Sequence, residues 1–544
     1  MSQDRHPWLI GLLTAAALGG VSLILFVLFG SSGGETPGTT LAGGTTTTTS
    51  AGPATTATTD PSGTTDPTAT TLDGSTSSSS TTSTEPPDPM HEWVDRRTVG
   101  KPWGDVVTGL LTFRGNPTHS YYGTGPIPAT PERLWRYPDA PMCSQSTDLG
   151  TTSTWCGNGW TGQPVLWERP DGITEMIFGA YDRRLHFVDV ATGRATRASV
   201  LTGDIIKGTP TIDPDGYPLV YFGSRDNFLR ILALDQGDAV ELWRAEANLA
   251  VEGRWNDDWD ASARIVNDIM FEGAENGFFY IWKLNRGYDA AGNVTVDPTL
   301  LFKMPSYNDQ LLQDIGPSYP AVSVEDSAAI FEGTVYFSNS GGRILGLDIT
   351  DVENGNAPIV FDYWVGDDVD SAIVIDDEGM LYVSAQYERY LPRATELGQL
   401  IKLDPSRPDD PYVWGMYSLT SAPAKGGMWT TPVVGDGVVY TVTNKGYLVV
   451  VDKETGEELW LDPVGVGAYS GPHHMSSPVM VDNHLILALV DGTIRNYDLT
   501  DPAAPSLVWN YQMTTGRIEA TPAVWNGVIY VGSWDGYMYA IGEG

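Results

Sequence analysis

The chain has 544 residues, 41% apolar, with 61 Gly, 37 Pro, two Cys and a formal charge of −37. Charge of that sign excludes nucleic acid as a partner, and anionic membrane surfaces as a partner of the folded part. Two cysteines exclude both a disulfide-rich scaffold and a cysteine zinc site.

Leu9 to Phe29 is a run of 21 residues without a charge, long enough to cross about 30 Å of hydrocarbon as a helix. A cleaved leader has a shorter apolar core, of about 7–15 residues, ending at a small-x-small site. This run closes on Phe26, Leu28 and Phe29 and therefore reads as a retained signal anchor, with residues 1–8 as a cytoplasmic tip. Only Arg5 precedes it, and no Lys or Arg lies between Arg5 and Arg96. That bias points the C-terminal bulk outward: a single-pass protein of the cell membrane, its main domain at the cell surface or in a periplasm-like space.

Residues 30–90 form a linker; from 31 to 90, Ser and Thr make up 31 of 60 positions. Such a segment cannot bury enough apolar surface to offset its ordering entropy, so disorder is expected. Whether it is an O-glycosylated stalk or a bare tether is open. Fully extended, it reaches at most about 200 Å, at about 3.3 Å per residue. Arg5 against seven acids in residues 1–90 leaves −31 for residues 91–544.

Cys143 and Cys156 lie 13 apart in a Gly/Ser/Thr-rich stretch; outside the cytoplasm they are expected to close a loop as one disulfide. From Thr161 the chain repeats every 40 to 55 residues, the period of an array or propeller. Each unit has a Thr/Ser-Pro start, an Asp/Asn-Gly turn, a Val-Tyr strand, a polar turn, an apolar strand ending in Asp, and an outer strand carrying Trp. Gly208–Ala245 and Thr430–Leu461 are the sharpest copies, and copies around Ala261–Met304 and Tyr319–Trp364 are degenerate. Asn526-Gly527 and Asp535-Gly536 mark hairpin turns in the last copy, which stops one strand short. Arg133-Leu134-Trp135-Arg136-Tyr137 reads as the missing outer strand. An eight-bladed all-β propeller of four-stranded antiparallel blades over residues 91–544, closed by that N-terminal strand, leaves no exposed edge.

The repeats, the closing segment and Phe113-Arg114-Gly115-Asn116-Pro117 with Tyr121-Tyr122-Gly123 resemble the quinoprotein-type propeller superfamily. It includes pyrroloquinoline quinone (PQQ) alcohol dehydrogenases and non-catalytic relatives such as the outer-membrane assembly lipoprotein. The resemblance to the dehydrogenases implies a vicinal Cys-Cys disulfide, a Glu/Asn/Asp calcium site and a general-base Asp. Adjacent cysteines are absent here, so no cofactor is expected, with PQQ or calcium as the alternative.

The loops ahead of first strands, and the turns between second and third strands, fall on one end of the blades. Aligning the copies places Lys207, Trp429, Met475 and Glu519 three positions before Pro210, Pro432, Pro478 and Pro522. Those four residues, with Trp255, Asp257, Asp258 and Trp259 as a rim, form the expected binding face. His473-His474 is a candidate metal pair, although neighbours on a strand point to opposite faces. Asp213-Pro-Asp215-Gly216 reads as a hairpin turn. The expected function is a membrane-tethered binding or scaffold module for a protein or an envelope polysaccharide; the alternative is an extracellular PQQ- and calcium-dependent oxidoreductase or another propeller enzyme.

Overall fold

In the computed structural model the described residues are 93–544, apart from 149, 160–161, 248–252, 318–319, 418–425 and 466–475. The apolar run Leu9–Phe29, the linker, His473-His474 and Met475 lie outside them. Among the described residues no helix is long and apolar enough to cross a membrane.

Short apolar runs broken by Gly and Asx turns fold into antiparallel meanders, and eight of these make a propeller. Blade 1 is built on Val165–Glu168, Thr174–Ala180 and Arg184–Asp189, with a split outer strand, Arg194–Ala195 and Val200–Leu201. Blade 2 runs from Thr211–Ile212 to Val240–Glu246, blade 3 from Arg264–Val266 to Thr299–Pro305, and blade 4 from Ala329–Phe331 to Ile359–Trp364. Blade 5 runs from Val374–Ile375 to Tyr412–Met416, blade 6 from Val433–Val434 to Glu458–Pro463, and blade 7 from Val479–Val481 to Ser506–Gln512. Blade 8 takes its three inner strands from Ala523–Trp525, Val528–Ser533 and Tyr537–Glu543, and its outer strand from Pro131–Tyr137. Middle strands such as Ile269–Gly273 and Val438–Val442 are buried along their whole length. Their near-continuous apolar sequence follows from neighbouring blades covering both faces.

The outer-strand tryptophans join blades. Trp135 Nε1 donates to Val190 O of blade 1 at 2.9 Å, and Trp414 Nε1 donates to Lys453 O of blade 6 at 3.0 Å. Their rings lie on Gly193 and Gly456, where a Cβ would come within 2.7 and 2.6 Å of indole atoms; φ of +65° and +72° also favours glycine there. The repeated Thr-Gly turn is thus a seat for the preceding blade's indole.

The Thr/Ser of the Thr/Ser-Pro start has an equally specific role. Gln163 N–H donates to Thr209 Oγ1 (2.7 Å), Ser262 N–H to Ser327 Oγ (2.9 Å), Ala372 N–H to Thr431 Oγ1 (3.1 Å) and Thr431 N–H to Ser477 Oγ (3.0 Å). Each hydroxyl satisfies a backbone donor of the blade before it.

The axis is filled by a strap, residues 109–124, which reaches all eight blades. Gly109 and Leu110 pair with Trp167 and Leu166 of blade 1. Leu111 O, Pro117 O and Thr118 O accept from Ile212 N, Ile330 N and Ile375 N, on the inner strands of blades 2, 4 and 5. Thr112 Oγ1 and Phe113 O accept from the guanidinium of Arg264 in blade 3. Arg114 Nη2 and Nη1 donate to Pro432 O at 2.6 Å and Pro478 O at 2.9 Å, in blades 6 and 7. Gly123 bridges Val524 of blade 8. Inner strands are edges as much as outer ones, and the strap supplies their missing partner.

Candidate functional site

Next to the strap, three residues earlier in each copy, lies the ring of positions singled out by the repeat. Five strand starts, two of them in blades without the proline, share one register against the strap. The carbonyls of Ala328, Ile373, Pro432, Pro478 and Pro522 all bond to the central polar knot of Arg264, His119, Arg114 and Gln163. Counting back three from each gives Glu325, Asp370, Trp429, Met475 and Glu519; the same count from Pro210 and Ala263 gives Lys207 and Asp260. Asp260, Glu325 and Asp370 are missed when proline alone marks the register, because Ala263, Ala328 and Ile373 stand in its place. Counting from the strand start would have found them.

Lys207, Asp260, Glu325, Asp370, Trp429 and Glu519 are all nine-tenths buried or more. Lys207 Nζ lies 3.0 Å from Glu275 Oε1 and also contacts Asp260. Burial alone would strip its proton, but the Asp260 and Glu275 carboxylates hold it well above the usual lysine range, so it is an ammonium rather than a nucleophile. Arg225 Nε donates to Asp258 Oδ2 at 2.6 Å, and Asn256 Nδ2 to Glu275 Oε2 at 2.9 Å. Burial pushes Asp258 and Glu275 up to about 8, with Glu275 adding to the push on Asp258 and Lys207 opposing it on both.

Further round, Glu325 is raised by burial and by Glu275 and Asp370, and Asp368 by burial and Asp370 against the pull of Arg389. Trp429 Nε1 donates to Asp370 Oδ2 at 2.7 Å, and Gln386 Nε2 donates to the same carboxylate. Glu519 is raised to about 7 by burial, with Arg517 and the Trp534 indole pulling back. Tyr181 is raised by burial and by Glu519, which ties blades 1 and 8 to the same field.

The other expected rim residues divide. Asp258 faces the site, whereas Trp259 points the opposite way. Its side chain is fully buried, 5.3 Å from Tyr280 between ring centroids, and its Nε1 donates to Asn227 O. It wedges blade 2 against blade 3 and takes no part in a binding face. Trp255 is exposed, and Asp257 is half-buried and raised by burial and Glu246, not by the mouth. Asp213 is a hairpin-turn residue clamped by Arg286 at 2.8 Å.

Oxygens of Asp258, Asp260 and Glu275 lie within 4.8 Å of one another, close enough to hold a metal ion. The Lys207 ammonium already contacts two of these three side chains. Cys143 and Cys156 are bonded to each other across the hairpin Cys143–Asp148 and Thr151–Cys156. They therefore do not provide the vicinal pair of the quinone dehydrogenases, and that cofactor does not fit this donor set.

Ring, repeats and closing strand together define an eight-bladed propeller of PQQ-like repeats. Within it, residues 398–543 match the family described as outer membrane protein assembly factor BamB. The BamB protein of Salmonella typhimurium is 31% identical over 112 residues, which span 21% of this chain and 26% of that relative; the chain thus matches about a quarter of its length. Among solved structures, quinohemoprotein alcohol dehydrogenase ADHIIG from Pseudomonas putida HK5 aligns with a TM-score of 0.53 at 10% identity, covering 80% of each chain. The enzyme from Comamonas testosteroni aligns with a TM-score of 0.51 at 14% identity, again over 80% of each chain. Identities this low speak for the fold alone.

Proposed function

We propose that this chain is an envelope scaffold: a propeller tethered through Leu9–Phe29, carried outward on the Ser/Thr linker, that holds a partner protein on its acid-rich mouth. The observation that carries this reading is the axis. The strap occupies it with a saturated polar knot, while the ring just beside it collects buried carboxyls and Trp429. A rigid ring with one built face suits recognition better than turnover. The likeness of residues 398–543 to a family described as an assembly factor supports a role in holding other proteins.

The test is crosslinking in the native envelope, followed by mass spectrometry of chains carrying a photoreactive residue at Trp255 or at the remote Glu353. A partner joined through position 255 and not through 353 is the expected result. Recovery of the chain alone from both positions would overturn the scaffold reading.

A further inference from the structure

The outer edges of the blades are all interrupted. In blades 2–8 the outermost strand slips register against its neighbour, and the extra residue stands out, as Leu134 and Val508 do at 50% exposure. In blade 1 that strand is split into Arg194–Ala195 and Val200–Leu201. Bulges and breaks of this kind guard an edge against pairing with another chain. The hairpin Cys143–Asp148 and Thr151–Cys156 has no such guard. Its six cross-strand pairs run without a slip, and neither strand holds a lysine or a proline. One face lies on the ring: Ser144 Oγ donates to Tyr181 O at 2.6 Å, and Ser146 is buried beside Arg225. Residues 151–154, by contrast, are all exposed. Among the described residues, no backbone group outside the hairpin bonds to the backbone of Thr151–Cys156. Asp148↔Thr151, next to the turn, is a hydrogen-bonded pair. Alternation then makes Thr152 and Thr154 turn their N–H and C=O outward. A hairpin alone is marginally stable. Here the Cys143–Cys156 bond closes its open end, and Trp155 seats it against Tyr181 and Trp534.

We propose that Thr151–Cys156 is a docking edge, to which the partner protein adds an extended segment as a third strand. In strand addition the main chain supplies the affinity and alternate side chains the specificity. The exposed threonines at 152 and 154 favour an uncharged segment rich in β-branched and hydroxyl side chains, since such residues pair well across strands. A second copy is a poor occupant, because each folded part carries −31 and like charges oppose association. The chain's own linker is placed at the other end of the blades. Trp93 O and Val94 O accept from Gly333 N and Glu332 N, in the turn between the first and second strands of blade 4. The hairpin instead bonds to Tyr181 and Gly536, in turns between second and third strands. This inference rests on the scaffold reading and specifies how the partner is held.

The test crosslinks the full-length chain in the native envelope through a photoreactive residue at Thr152 or, on a bulged blade edge, at Val508. The partner joined through position 255 should also be joined through 152, at one short segment mapped by mass spectrometry, and not through 508. Thr154→Pro removes an outward N–H at an edge position, where proline is tolerated. It should lower the yield through 152 at least tenfold while the ring melts like the parent. A synthetic peptide of the mapped segment should bind the purified chain and protect the Thr152 and Thr154 amides from hydrogen exchange. A yield that Thr154→Pro leaves unchanged, or amides that stay unprotected, would overturn the proposal. So would an adduct at 152 with a second copy or with the chain's own linker. If the partner is joined through 255 and not through 152, the scaffold stands and the docking edge falls. Recovery of the chain alone from every position would overturn both.

Discussion

Two polar clusters lie side by side on the axis of this propeller, and they differ in what their charged groups are paired with. In the hub, Arg114 and Arg264 are wholly buried, yet their guanidinium groups meet backbone carbonyls. Burial holds Arg264 down to about 9 and pushes His119 well below the ordinary histidine range. His119 is therefore neutral: Nδ1 faces Ile373 O at 2.7 Å, so it carries the proton, and Nε2 accepts from Arg264. In the mouth, carboxyls face Lys207, Arg225, Arg389 and Arg517 and also repel one another. Cations held by backbone carbonyls fix the blades to the strap, while mutually repelling carboxyls make the mouth sensitive to protonation.

The sharpest way to break that contrast is to open the ring. Deleting Pro131–Tyr137 removes the outer strand of blade 8 and exposes the edge of Tyr537–Glu543. Exposed edges template aggregation, so size-exclusion chromatography should show aggregate rather than monomer; a monomer with the parent's melting curve would mean the closing strand is dispensable. Next in size is Arg114→Ala, which leaves Pro432 O and Pro478 O buried without donors. A loss of about 3–5 kcal/mol is expected, read as a large fall in thermal midpoint. A fall no larger than that of a surface substitution would show that the hub is not holding the blades.

These two clusters were unequally legible in the sequence. Blade count and closing strand follow from turn dipeptides and periodicity, because each is a local pattern repeated or completed, and the cysteine pairing follows from there being two cysteines. The segment Phe113–Pro117 stands out as a motif, but its partners are carbonyls of Pro432 and Pro478, more than 300 residues away. Carbonyls leave no mark on side-chain identity, so its role as a hub is invisible until the chain is folded. Glu325 and Asp370 were hidden by the replacement of proline with alanine and isoleucine. Trp259 was misread for a different reason: flanked by Asp258 and Asp260, it was grouped with them by chemistry. Alternation along an extended chain turns it to the other side, into the seam between blades.

The pairing difference also has a pH signature. Glu519 titrates at about 7, and Asp258 and Glu275 at about 8, whereas an unfolded carboxyl titrates at about 4. Between those values the folded chain keeps protons that the unfolded chain has released. Stability from these groups is therefore full below about pH 4, declines as pH rises to about 8, and is flat beyond. Asp95, held down to about 2 by Arg97, works in the opposite sense and only at acid pH. The thermal midpoint should thus be higher at pH 5.5 than at pH 8, and Glu519→Gln should shrink the difference. An unchanged difference would place the titration elsewhere, and a midpoint rising from pH 5.5 to 8 would contradict the repulsive mouth.

The smallest expected effect concerns the hairpin beside the mouth. Trp155, on its second strand, packs 5.3 Å from Tyr181 and 5.2 Å from Trp534, and Arg225 lies over its ring. The hairpin is tied to the ring through Met142 N to Gly536 O at 2.9 Å and Ser144 Oγ to Tyr181 O at 2.6 Å. Neither the hub nor the closing strand runs through it. Replacing Cys143 and Cys156 by serine reopens a 13-residue separation, for which chain entropy gives about 3 kcal/mol. That loss should fall on the hairpin rather than the ring. Hydrogen exchange across residues 143–156 should rise by orders of magnitude while the thermal midpoint of the ring moves by only a few degrees. If the midpoint instead fell as far as in Arg114→Ala, the hairpin would belong to the cooperative unit of the ring. The indole cluster it carries would then belong to that unit as well.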